Sequence, residues 1–111
     1  MSKIFILVTL FAVLTYTSLN AAIYKGQREY TKKCRDCHKN GQKIAASYKS
    51  AEWGDMMKQK GSGLAKLHLD AAEAKKSWKY FKGKKFAKKA RHLRDFMTEY
   101  AKDSGNVPAC D

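Results

Sequence analysis

The 111-residue sequence predicts an all-α fold of about four helices. Apolar residues recur at helical spacing, which places them on one face of a helix. No alternation of apolar and polar residues is long enough to argue a strand. Glycines punctuate the periodic segments, and the single proline, Pro108, stands near the C-terminus, where it breaks no helix.

The N-terminus reads as an export signal. Lys3 supplies the positive start, and Ile4 to Leu14 is almost continuously apolar. A more polar stretch, Thr15 to Asn20, leads to the small pair Ala21-Ala22. An apolar run this short falls below the ~20 residues that span a bilayer, so cleavage after Ala21 is expected rather than anchoring. Residues 1–21 are then a signal peptide, and residues 22–111 form one small domain outside the cytoplasm, in the periplasm.

The first helix of that domain is expected over Ile23 to Lys33, where Ile23, Tyr30 and Cys34 share a face with Gly26. Cys37-His38 is expected to leave the helix, and Asn40-Gly41 to turn the chain. A second helix runs from about Ala51 to Gln59. Ser50 is its N-cap candidate, Glu52 suits its positive end, and Gly61 is its stop. Trp53 and Met56 or Met57 would face inward. Gly61-Ser62-Gly63 reads as a flexible turn. Asp70 and Glu73 resemble a capping box for a third helix, about Ala71 to Phe81, with Trp78 and Phe81 on its apolar stripe. The last helix, about Phe86 to Lys102, collects Ala90, Leu93, Phe96, Met97, Tyr100 and Ala101 on one face and lysines and arginines on the other.

Between the first and second helices stands Cys34-Arg35-Asp36-Cys37-His38. The pattern C-x-x-C-H is the attachment site of a c-type haem. Two thiols add to the two vinyl groups of the porphyrin, and the adjacent histidine gives the iron an axial nitrogen. Cys34 and Cys37 are thus expected to hold one covalent haem, with His38 as the proximal ligand. A bare C-x-x-C would point to disulfide exchange or half a zinc site; the histidine and the export signal favour haem. Cys110 is the one cysteine left over, which argues against a disulfide framework.

Charge narrows the partners. The chain carries 23 basic and 10 acidic residues, a formal +13. The signal contains one lysine and no acid, so the exported part keeps 22 basic residues and +12. In the cytoplasm such a balance would suggest nucleic acid. For an exported protein no nucleic acid is expected. Acidic redox proteins, membrane-bound oxidoreductases or an anionic membrane surface are the better partners.

The pattern resembles class I cytochromes c, and among them the short, basic monohaem proteins exported by bacteria. In that family a first helix leads into C-x-x-C-H and a C-terminal helix crosses it. A small glycine lets the two backbones approach, and an aromatic one turn later packs on the last helix. Gly26, Tyr30 and Cys34 stand at that spacing, and Leu93, Phe96 and Tyr100 resemble the facing surface. The resemblance covers roughly residues 23–41 and 87–103. It implies a cytochrome c-like bundle around one covalently attached haem, carrying single electrons and performing no substrate chemistry, hence not an enzyme.

The middle of the chain departs from the family. A methionine usually supplies the second axial ligand from a loop before the last helix, but residues 75–90 contain none. His68, within Leu64-Ala65-Lys66-Leu67-His68-Leu69, is the first candidate, because an imidazole among leucines needs its nitrogens satisfied. Met56 and Met57 are the alternatives, since a thioether also binds haem iron. His92, Met97 and Cys110 rank lower. An open sixth position would make the protein a five-coordinate haem sensor or small-ligand binder. A thiol–disulfide protein is a further rival, weakened by the absence of alternating strands.

Overall fold

α1 covers residues 21–33 in the computed structural model, which describes residues 21–106. Most of the expected signal, together with Pro108 and Cys110, lies outside the described residues. Every regular element among the described residues is helical.

Gly26, Glu29 and Tyr30 are the buried residues of α1, with Ile23 and Cys34 packed at the margin of the core. α1 meets the last helix at Gly26. A Cβ there would overlap the carbonyl oxygen of His92 and lie 2.8 Å from the Cβ of Phe96. One turn on, the Tyr30 and Phe96 rings stand 5.9 Å apart.

The helical path does not end at the cysteines. Cys34 N–H donates to the Tyr30 carbonyl at 2.8 Å, and His38 N–H donates to the Cys34 carbonyl at 2.9 Å. Cys37 and His38 therefore stay inside a short helix, α2 (Arg35–His38), where the sequence suggested an exit. The exit comes at Lys39, whose φ of 63° reverses the chain. Its carbonyl accepts the Tyr30 hydroxyl at 2.8 Å. α3 (Gly41–Ala45) follows in place of the expected turn, because Asn40 caps it by accepting the Lys43 N–H.

α4 (Ser50–Leu69) is two helical pieces joined at a break. Its N-cap is Lys49 rather than Ser50; the Lys49 N–H donates to the Glu52 carboxylate at 3.1 Å. Ser50 instead donates from its N–H and its hydroxyl to Asp103. The break runs through Lys58, Gln59, Lys60 and Gly61, the last three with positive φ. Beyond it the chain resumes as helix to Leu69, so Ser62 and Gly63 are helical rather than a turn. This second piece carries His68.

Asp70 closes α4 rather than opening the next helix. Ala72–Ser77 forms a 3-10 turn, and α5 (Trp78–Lys82) and α6 (Lys84–Glu99) complete the chain of helices. α6 buries Phe86, Ala90, Leu93, Phe96 and Met97, with Ala101 just beyond its end. Trp53 and Met57 from α4 and Phe81 from α5 close the core over it. Trp53 donates its indole N–H to the Ala45 carbonyl at 2.8 Å, which satisfies its polar atom inside the core.

Candidate functional site

The end of α2 and the second piece of α4 bring two histidines together. The His38 and His68 rings lie 5.8 Å apart between centroids, at an interplanar angle of 80°. His38 sits at the last helical position of α2, held by its hydrogen bond to Cys34. His68 sits on the last turn of α4, thirty residues away in sequence. Its Nδ1 is 2.8 Å from the Leu64 carbonyl one turn earlier. A carbonyl only accepts, so Nδ1 carries the proton, and in the neutral ring Nε2 keeps its lone pair free. Such a bond behind an imidazole orients metal-ligating histidines. Phe81 stacks on the His68 ring at 4.2 Å and 25°.

The sequence candidates separate in this arrangement. Met57 is buried in the core beside Trp53, and Met56 packs at its edge. Met97 belongs to the core face of α6. His92 lies where α6 crosses α1, and its Nδ1 is buried without a hydrogen-bond partner among the described residues. Burial first, then the positive Arg91, Lys25 and Lys89, pushes its pKa down, with Asp95 opposing. Of the alternatives weighed for the second axial position, His68 is the residue brought against His38.

The two thiols differ. Cys37 is exposed, whereas Cys34 is partly covered by the core. Burial, then the charges of Glu29 and Cys37, pushes the Cys34 thiol up to about 12. Thiols that attack disulfides are shifted the other way, toward the thiolate. His38 is held below the usual histidine range by burial first and by His68 second, which favours its neutral, ligating form.

Among the described residues, no three His, Cys, Asp or Glu side chains converge as a metal-binding group. A porphyrin iron would draw only axial ligands from the protein. The spacing can be tested against that need. Two metal–imidazole bonds of ~2 Å, with each ring centre ~1 Å behind its nitrogen, span about 6 Å. The observed centroid separation of 5.8 Å is close to that span. The thiols of Cys34 and Cys37 occupy the turn that immediately precedes His38.

Phe81 also walls a groove of about 440 Å³, with Ala65, Leu69 and Phe86 beside it and Lys60 and Lys82 at its margin. Lys66 and Asp70 also line it, whereas Cys34, Cys37, His38 and His68 do not.

One feature escaped the sequence reading. Glu29, 4% exposed, accepts a hydrogen bond from the Tyr80 hydroxyl at 2.7 Å. The signal was present: position 29 falls between Gly26 and Tyr30 on the inward face of α1, where an acid is out of pattern.

No family model, curated protein or solved structure matches the chain.

Proposed function

We propose that this chain is an exported, monohaem c-type electron carrier, with Cys34 and Cys37 as the covalent attachment points. His38 and His68 would be the axial ligands. The observation that carries the reading is the meeting of the two imidazoles at 5.8 Å, directly after the C-x-x-C turn. When bound, haem supplies a one-electron Fe(III)/Fe(II) couple.

The chain's own residues have defined tasks in this reading. The α1–α2 junction presents Cys34 one turn before His38 and Cys37 directly before it. Leu64 orients His68 through its carbonyl, and Phe81 limits the swing of that ring. Phe81 covers one face of the His68 ring, while Cys37 is exposed, so the attachment turn would stay accessible for electron exchange. A histidine pair favours a lower potential than a histidine–methionine pair. The basic surface would steer acidic redox partners, raising on-rate more than affinity. The all-helical fold and the protonated Cys34 thiol weigh against a thiol–disulfide protein.

The test is a pyridine haemochrome spectrum of protein exported to the periplasm, with both redox states measured on the same sample. Covalent haem and a low-spin, six-coordinate spectrum are expected. Cys34→Ala and Cys37→Ala should lose one thioether each and yield little stable holoprotein. Folded, haem-free wild type would overturn the reading. Tight binding of CO by the reduced protein, with a high-spin resting spectrum, would favour the five-coordinate sensor.

A further inference from the structure

We infer that Trp78 is a positioning residue for His68: its indole ties the His68 backbone to α5, and that tie sets how readily His68 gives up the iron to an outside ligand. The inference rests on the haem reading above and assigns a role to a side chain which that reading leaves unused.

Trp78 donates its indole N–H to the carbonyl of His68 at 2.8 Å and, with a longer bond of 3.3 Å, to that of Ala71. The His68 carbonyl belongs to the last turn of α4, where carbonyls have no partner within the helix. Phe81, three residues after Trp78, shares its face of α5 and stacks on the His68 ring at 4.2 Å. One turn of α5 therefore grips His68 twice, at its backbone and at its imidazole. The Lys82 ammonium lies 5.9 Å from the centre of the Trp78 ring and helps to hold the indole in place.

The other ties of His68 act differently. The Nδ1 bond to Leu64 lies within the second piece of α4 and travels with it. The first piece, anchored in the core by Trp53 and Met57, meets the second through Gln59, Lys60 and Gly61, all with positive φ. A left-handed stretch interrupts the ladder of helix hydrogen bonds, so the two pieces do not behave as one rod. The end of the second piece is placed by what holds it from outside, and Trp78 supplies that hold from α5.

Exchange at the sixth position needs His68 Nε2 to leave the iron with its lone pair and an incoming ligand to donate a pair of its own. The imidazole leaves neutral, since Nδ1 keeps the proton it donates to Leu64. For His68 to withdraw together with its helical turn, the indole bond to its carbonyl has to break. The strength of that bond then enters the barrier to exchange.

The test is the rate of cyanide binding to the ferric, haem-loaded protein at saturating cyanide, where the departure of His68 is the slow step. Trp78→Phe keeps an aromatic ring and removes the donor. It should bind cyanide roughly tenfold faster than wild type, the size of one neutral hydrogen bond. Trp53→Phe is the control. It removes an indole bond of the same 2.8 Å length, to the Ala45 carbonyl, from the first piece of α4. It should lower the urea midpoint and leave the cyanide rate at the wild-type value. A Trp78→Phe rate equal to wild type, or a rise of the same size in Trp53→Phe, would overturn the inference. If Trp78→Phe does not fold, hydrogen exchange in wild type decides. The Trp78 indole should exchange faster in the cyanide adduct, with Trp53 unmoved, and a Trp78 indole equally protected in both forms overturns the inference. A methionine–iron band in wild type would remove His68 and this inference together and leave the electron carrier standing. Failure to load haem at all would overturn the electron-carrier reading itself, and the haemochrome spectrum distinguishes that outcome.

Discussion

His68 is tied at Nδ1 to Leu64 and stacked on Phe81, so its ring has little freedom left. Replacing it tests the sixth position directly. His68→Ala should convert a low-spin ferric spectrum to a high-spin or water-ligated one and open the iron to cyanide. A methionine–iron charge-transfer band in wild type, toward the red end of the spectrum, would instead assign the position to Met56 or Met57. Both imidazoles were legible as candidates in the sequence, one from the motif and one from its leucine surroundings. Glu29 was harder to see, because a single acid on a short amphipathic face is usually solvated.

At the scale of elements, two close approaches set the architecture. α1 can cross α6 only because position 26 has no side chain. Gly26→Ala forces a methyl into the His92 carbonyl and should cost about 1–3 kcal/mol, as overpacking does. The midpoint of urea unfolding measures this. The break in α4 has the opposite character. Lys60 holds a φ of 60° with no glycine to ease it, a conformation that costs ~1–2 kcal/mol in an L-residue. Lys60→Gly should therefore stabilise by up to about 1 kcal/mol, once the entropy of glycine is set against the relief. Gly61 next to it is not open to change. Its φ is +79°, and a Cβ there would lie 2.6 Å from the Phe86 ring.

For the whole molecule, charge dominates. Ion pairs among the described residues engage Lys58, Lys66 and Arg94, and Lys82, Lys84 and Lys85 stand exposed at the α5–α6 junction. Among the described residues no helix is long and apolar enough to cross a membrane. Second-order electron transfer with an acidic redox partner should slow as salt is added, since screening shortens to ~8 Å at physiological ionic strength. Charge reversal at Lys82, Lys84 and Lys85 should slow it as well. A rate indifferent to salt would direct attention to anionic vesicles, by co-sedimentation.

The helical class, the core face of α6 and the thiol–histidine motif could all be read from the sequence. Each depends on residues within a few turns of one another, and local periodicity or covalent spacing specifies it. The short α3 stayed hidden because five residues are too few to show a period, although Asn40 carried a cap signal. The helix beyond Gly61 stayed hidden because two glycines suggest a turn, whereas of the two only Gly61 takes a positive φ. Tertiary structure alone decided that His38 faces His68 and that Glu29 meets Tyr80. These pairs are separated by 30 and 51 residues, and only the packing of α4 and α5 around α1 and α6 sets their distance.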